Sequence, residues 1–159
     1  LLKRKNIEFA MKKAGANGIS VGEVLHTGIT EGYRNKAQYP IARGKDGSYI
    51  IGFYAPKSHR VTEARECPLA PPVFAEILNT GAAFFKKYNL SCYDEESGRG
   101  LLRHIYLRRG EVSGEILLTI VINGKSLPHA DELVAEVREK HPDIPYIMIS
   151  KPNFHQNSH

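Results

Sequence analysis

The side chains of this sequence best able to do chemistry are its 7 histidines and 2 cysteines. Imidazole serves as an acid, a base or a metal ligand, depending on its neighbours. His59 and His104 each adjoin an arginine. That setting favours a neutral ring that hydrogen-bonds a phosphate or a base, and it disfavours a metal ion. We interpret four others, in glycine-rich or terminal segments, as surface residues: His26, His141, His155 and His159.

The cysteines leave several roles open. Cys67 stands before Pro68 at the start of a predicted helix, where it could be a nucleophile, a metal ligand or a packed apolar side chain. Free cysteine is most often packed, and we interpret Cys92 in the same way. Two cysteines are too few for a disulfide framework or a closed zinc site. We therefore expect a reducing compartment and a cytoplasmic protein.

The positive charge is concentrated in two blocks of the chain. The net charge is +5, but residues 1–65 carry 12 Lys and Arg against 5 Asp and Glu, and residues 99–112 carry 4 against 1. Both blocks are predicted to be largely extended, and alternation along a strand places every second side chain on one face. The basic residues can thus converge on one surface for a polyanion, for which nucleic acid is the natural candidate. A solvated basic face without a partner is the alternative.

Several kinds of site and of protein are excluded by pattern. The sequence has no G-x-G-x-x-G after a strand, no P-loop, no H-E-x-x-H and no G-x-S-x-G. Residues 97–100 contain two glycines but lack the strand-to-helix setting of a phosphate cradle. A length of 159 residues, with 42% hydrophobic and 25% charged residues, is typical of one globular domain. No apolar run is long enough to cross a membrane, so we expect no membrane partner.

The spacing of apolar residues predicts helices and hairpins in alternation. Helices are predicted over residues 3–14, 72–88 and 129–140, each with an apolar stripe. Residues 33–42 and 49–55 flank the turn signal Gly44-Lys45-Asp46-Gly47, and residues 101–109 and 115–122 flank a second glycine-containing turn. Further strands are predicted over 60–64 and 144–150.

These elements together predict an α+β fold. We expect a mainly antiparallel sheet, built from two hairpins plus a final strand, with about three helices packed on it. One domain is expected over residues 1–150, followed by a polar tail over residues 151–159. Because the chain opens at Leu1 without an initiator Met, we expect it to be part of a longer protein.

Five strings of residues carry a resemblance to a known family. They are Tyr33-Arg34-Asn35-Lys36-Ala37-Gln38, Gly52-Phe53-Tyr54 with Ser58-His59-Arg60-Val61, Glu66-Cys67-Pro68, Leu102-Arg103-His104-Ile105 with Arg108, and Gly114-Glu115. Together and in this order they resemble the central region of bacterial RNA (uracil-5-)-methyltransferases, and the ribosomal RNA branch is the more similar one. The resemblance covers nearly the whole chain.

The resemblance implies an enzyme of three parts. These are an N-terminal RNA-binding barrel, this central domain, and a C-terminal domain that binds S-adenosylmethionine and carries the catalytic residues. Cys67 matches the fourth cysteine of the family, which with three earlier cysteines holds a 4Fe-4S cluster. This chain contains none of the catalytic motifs and lacks those three cysteines. We therefore expect neither catalytic activity nor any cofactor in the isolated chain.

The prediction is a central RNA-binding domain that also supports the cluster. Basic residues neutralise phosphates, and Tyr33 or Tyr54 can stack on unpaired bases. On a regular strand Arg34 and Lys36 share a face, whereas Arg108 and Arg109 do not. The alternative is a structural spacer between barrel and catalytic domain; a small hydrolase has no supporting residue spacing. The predicted RNA contacts are Arg34, Lys36, Lys57, His59, Arg60, Arg103, His104, Arg108 and Arg109.

Overall fold

The structure is a computed structural model that describes residues 2–151. The chain divides into two compact units, Leu1–Thr30 and Glu31–His159, which are described separately. Of the predicted tail, all but Lys151 lies outside the described residues. The single domain over residues 1–150 stays a prediction. Within residues 2–151, no helix is both long and apolar enough to cross a membrane.

The first unit contains one helix, α1 (Leu2–Lys13). It ends before Gly15, which has a positive φ of 79°. The predicted helix is confirmed, but none of its residues is buried. The predicted apolar stripe consists of Ile7, Ala10, Met11 and Ala14, and Ile7 is 47% exposed. The stripe is short and half of it is alanine, so it offers little apolar area for burial.

The second unit is built on one six-stranded sheet. Its elements, with the helices that accompany them, are β1 (Lys36–Arg43), β2 (Tyr49–Tyr54), β3 (Val61–Glu63), α2 (Pro72–Lys87), β4 (Leu102–Arg109), β5 (Ile116–Ile122), α3 (Ala130–Lys140) and β6 (Tyr146–Ser150). The strand order is β3-β2-β1-β4-β5-β6, and every neighbouring pair is antiparallel except β5 and β6, which are parallel. Helix α3 makes the crossover that a parallel pair requires. The predicted α+β fold is confirmed.

One face of this sheet packs against α2 and α3 to form the core. Alternate residues of the strands point into it, as in β5, where residues 116, 118, 120 and 122 are buried and those between them are not. Helix α2 contributes most of the covering surface, and a Cβ on its Gly81 would lie 3.4 Å from Ile105 of β4. Helix α3 adds Leu133 and Val137.

The opposite face of the sheet is covered by no helix of this unit within the described residues, and we call it the open face. Register fixes which side chains it carries, because directly opposed residues share a face. Lys36 is opposite Arg108, Gln38 is opposite Tyr106, and Pro40 is opposite His104. The open face continues over β5 and β6 through Leu117, Thr119, Val121, Tyr146 and Met148.

Candidate nucleic-acid interface

The structure divides the nine predicted RNA contacts between two regions. His59, Arg60, Arg103 and His104 line one cleft. Lys57 lies in the turn that precedes them, with a positive φ of 55°. The other four lie around the far end of β1 and β4: Arg34, Lys36, Arg108 and Arg109.

Lys36 and Arg108 form a like-charged pair on the open face. They are direct cross-strand partners in the antiparallel β1–β4 ladder, and both are exposed. Their Cβ atoms are therefore about 5 Å apart, and like charges at this spacing destabilise a sheet. Neither side chain makes an ion pair or hydrogen bond to another side chain within residues 2–151. Among the described residues, the pair is thus a concentrated positive charge that a bound anion would relieve.

Arg34 and Arg109 lie near this pair but do not share its geometry. Strand β1 begins at Lys36, so the prediction that Arg34 lies on the strand is wrong. Its backbone N–H instead donates to the carbonyl of Leu69, 2.9 Å away, in the segment before α2. Arg109 follows Arg108 on a regular strand end and so faces the other side of the sheet. The cleft that it lines is formed by the β4–β5 turn and the segment before β6.

At the other end of the open face lies a cleft of about 400 Å³, which we call the aromatic cleft. It lies between the end of β2, strand β3, the start of β4 and the loop before β4. Tyr54 is the last residue of β2, and its backbone pairs with Val61 of β3. The lining residues are Ile41, Ala42, Tyr54, His59, Arg60, Val61, Tyr93, Asp94, Glu95, Glu96, Arg103 and His104.

Tyr54 is the centre of an aromatic cluster in this cleft. Its ring is 5.8 Å from that of His59 and 6.2 Å from that of His104, at interplanar angles of 83° and 81°. The Tyr54 hydroxyl lies 3.4 Å from Nε2 of His104. Burial lowers the pKa of His104, and the neighbouring Arg103 lowers it further. The ring is therefore neutral at pH 7, as its arginine neighbour predicts.

Arg103 is already held by protein groups. Its Nη2 donates to Oε1 of Glu95 at 2.8 Å, and its guanidinium lies 4.1 Å from the centre of the Tyr93 ring. The Arg103 side chain is only 11% exposed. This residue fixes Tyr93 and Glu95 in the cleft wall, and direct contact of Arg103 with RNA stays a prediction.

Sequence reasoning missed the cleft wall formed by residues 93–96. Asp94 caps this loop, because its Oδ1 accepts from the backbone N–H of Ser97 at 2.8 Å and from the Ser97 hydroxyl at 2.6 Å. Gly100, with a φ of 103°, brings the chain back against Cys92. The acidic residues just before a basic strand were the available signal, since opposite charges close in sequence often pair.

The two cysteines have different surroundings. Cys92 is half-buried, and burial raises the pKa of its thiol to about 11, which makes it unreactive at neutral pH. Cys67 is also partly buried, but it lines a second cleft of about 450 Å³, together with Gly32, Arg65 and the prolines that begin α2. Within residues 2–151, no three His, Cys, Asp or Glu side chains converge as a metal site. With one suitably placed thiol, these residues do not fit a four-iron cluster by themselves.

Comparison with known proteins finds relatives among the RNA methyltransferases. A protein of Clostridium tetani named as an uncharacterized RNA methyltransferase is 36% identical over 137 residues, covering 86% of this chain and 30% of the relative. Another, from Synechocystis, is 34% identical over 143 residues, covering 89% of this chain and 31% of the relative. No family model matches the chain.

A solved structure shares the fold. The tRNA (uracil-54, C5)-methyltransferase of Pyrococcus abyssi, in complex with S-adenosyl-L-homocysteine, matches with a TM-score of 0.69 at 22% identity, over 99% of this chain and 34% of that chain. This chain thus spans about a third of the length of the proteins it matches. The resemblance read from the sequence is confirmed at this level: the chain is a homologue of one segment of proteins named RNA methyltransferases.

Proposed function

We propose that this chain is the RNA-binding central segment of an S-adenosylmethionine-dependent RNA uracil-C5 methyltransferase and that it is inactive alone. The observation that carries the proposal is the open face, where the unpaired Lys36–Arg108 charges and the aromatic cleft lie on the same side of one sheet. The paired charges suit the binding of phosphates, and the aromatic cleft suits the stacking of an unstacked base. Because the relatives are named RNA methyltransferases, we take RNA to be the polyanion that this surface binds.

The chemistry of methyl transfer belongs to other parts of the longer protein. S-adenosylmethionine would supply the methyl group there. The role of this chain is to hold the RNA while the target uridine leaves its stack. Ribosomal RNA is the substrate that the sequence resemblance favours, and the cytoplasm is the place where such an enzyme would work.

Cys67 is the residue of this chain that we assign to a 4Fe-4S cluster of the longer protein. Its partly buried position at a cleft of about 450 Å³ leaves room for cysteines from another segment. The isolated chain is then expected to contain no cluster, because three ligands are missing. Stoichiometric iron and sulfide in the purified chain, with the visible absorption of a cluster, would contradict this assignment.

The proposal is tested by titrating the chain with a ribosomal RNA stem-loop at several salt concentrations. Each phosphate contact lowers the logarithm of the affinity by about 0.7 to 0.9 per tenfold rise in salt. A slope that corresponds to three or more contacts is expected. A flat or undetectable response would remove the RNA-binding role.

The second candidate function is a structural spacer, and the β5–β6 half of the open face favours it. Tyr146 is 61% exposed and Met148 is 51% exposed, next to Leu117. Such an apolar surface suits contact with another segment of a longer protein, since this chain spans only about a third of its relatives. Weak RNA binding without salt dependence would favour the spacer over the RNA-binding role.

A further inference from the structure

We propose that the aromatic cleft binds one unstacked RNA base that carries an amino group, while the Lys36–Arg108 pair holds phosphates of the same strand. This inference rests on the proposed function, and it adds a site that receives a base other than uracil. It is carried by the size of the cleft, the geometry of its rings and the carboxylates on its rim.

The cleft has the size and walls of a nucleobase site. Its volume of about 400 Å³ lies at the low end of the range for small-ligand sites, about 300 to 1,000 Å³. Tyr54 is 40% exposed, so part of its ring is open to a ligand. The imidazoles of His59 and His104 stand nearly perpendicular to it. A flat base that stacks on one of these rings therefore meets the edge of another.

The rim of the cleft selects for hydrogen-bond donors. Three consecutive acidic residues, Asp94, Glu95 and Glu96, are among the residues that line it. Asp94 is occupied by Ser97 and Glu95 by Arg103. The carboxylate of Glu96 is exposed and makes no ion pair or hydrogen bond within residues 2–151.

A free carboxylate accepts from the amino group of a base and repels a phosphate. Adenine, cytosine and guanine present amino groups, whereas uracil presents carbonyl oxygens at the corresponding positions. The cleft should thus prefer an amino-bearing base, and the phosphates must lie elsewhere on the strand.

Lys36 and Arg108 provide the place where the phosphates of the strand can bind. His104 and Arg108 are four residues apart on β4 and face the same side, which separates them by about 13 Å at roughly 3.3 Å per residue. Between them, the β1–β4 part of the open face carries Gln38 and Tyr106, and within residues 2–151 the ladder places no acidic residue there. A single strand of a few nucleotides can lie along β4 with its phosphates at one end and one base in the cleft.

The test uses two RNA octamers, one of uridine alone and one with a single central 2-aminopurine, a fluorescent base that carries an amino group. The full 159-residue chain is titrated with each at low salt. We expect the substituted octamer to bind about tenfold more tightly, and its fluorescence to be quenched as the base stacks in the cleft. Equal affinity without quenching would overturn the proposal.

Two variants locate the effect in the cleft. Glu96→Gln is expected to reduce the preference to about twofold or less, because the amide no longer offers a carboxylate to the amino group. Glu111→Gln, an exposed carboxylate in the β4–β5 turn, is the matched control and should keep the preference. Tyr54→Leu should abolish the quenching, whereas Tyr146→Leu on the far edge strand should leave it unchanged. A circular dichroism spectrum like that of the parent chain is required of each variant before it is scored.

The outcomes separate this inference from the proposed function. If both octamers bind with a clear salt dependence but equally, and if Glu96→Gln changes nothing, the base site is wrong while RNA binding stands. If neither octamer binds at any salt concentration, both proposals are wrong. Retention of preference and quenching in Tyr54→Leu would also contradict the site, because the base would then lie elsewhere.

Discussion

At the scale of single residues, two buried tyrosines show how the surroundings of a hydroxyl decide its contribution. The Tyr49 hydroxyl lies 2.9 Å from the carbonyl oxygen of Phe85 and 2.5 Å from that of Leu90. It ties β2 to the end of α2. The Tyr39 hydroxyl is also buried, but it has no hydrogen-bond partner within the described residues. Burial raises the pKa of Tyr39 to about 12, Cys67 adds to the rise, and the charge of Arg34 offsets part of it.

The two tyrosines predict opposite results for one substitution. Tyr49→Phe should lower the free energy of unfolding by about 1 to 2 kcal/mol, because it removes the hydroxyl donor of the Leu90 carbonyl, whereas the Phe85 carbonyl still accepts from the Leu90 backbone N–H. Tyr39→Phe should cost nothing or stabilise slightly, since it removes an unpaired polar group. Urea denaturation of both variants measures the difference. A loss at Tyr39 equal to that at Tyr49 would contradict the hydrogen-bond assignment.

Two histidines predict how stability depends on pH. The interpretation of His141 as a surface residue is wrong, because it is buried and its Nε2 lies 3.0 Å from the Thr80 hydroxyl. Burial lowers the pKa of His141, and it lowers that of His104. In the unfolded chain these rings return to the ordinary pKa of about 6.5. As the pH falls below this value, the unfolded state takes up protons before the folded state, so stability is lost.

The free energy of unfolding should therefore decrease as the pH is lowered from 7.5 to 5.5. Denaturation at several pH values measures the slope, and His141→Gln should make it shallower. A slope of the opposite sign would show that these rings are charged in the folded protein.

At the scale of elements, the predicted order of helices and strands is confirmed because each has a clear period or a strong turn signal. The Gly44–Gly47 signal closes the first hairpin, where Asp46 accepts from the Ser48 hydroxyl at 2.7 Å. Proline in a sheet is usually confined to an edge, but Pro40 lies inside this one, opposite His104. It is tolerated because the β1–β2 ladder begins only at Ile41.

The loop before β4 depends on one glycine. Gly100 has a φ of 103°, and a Cβ at this position would collide with the Cys92 carbonyl. Gly100→Ala should therefore cost about 1 to 3 kcal/mol of stability and distort the cleft wall at Glu95 and Glu96. Gly98→Ala is the comparison, because Gly98 also has a positive φ of 66° but has open space around it. Thermal unfolding should show the greater loss for Gly100→Ala, and equal losses would contradict the steric argument.

At the scale of the whole molecule, the sequence predicted which residues alternate along a strand but not which strands meet. Alternation separates Arg108 from Arg109, as expected, whereas the register that puts Lys36 opposite Arg108 is seen only in the structure. Two contacts of predicted site residues could not be derived from alternation along a strand. Arg103 is held by Glu95 through the fold of a loop, and Arg34 is tied to Leu69 by a hydrogen bond between distant segments. No periodicity encodes such contacts.

The measurement that tests the central claim most directly compares the salt dependence of RNA binding in two double variants. Lys36→Ala with Arg108→Ala removes two charges from the open face, and Arg138→Ala with Lys140→Ala removes two from α3 on the helix side. If the open face binds RNA, the first pair should lower the salt slope by about 1.4 to 1.8 and weaken binding, while the second leaves both almost unchanged. Equal effects of the two double variants would contradict an RNA surface on the open face.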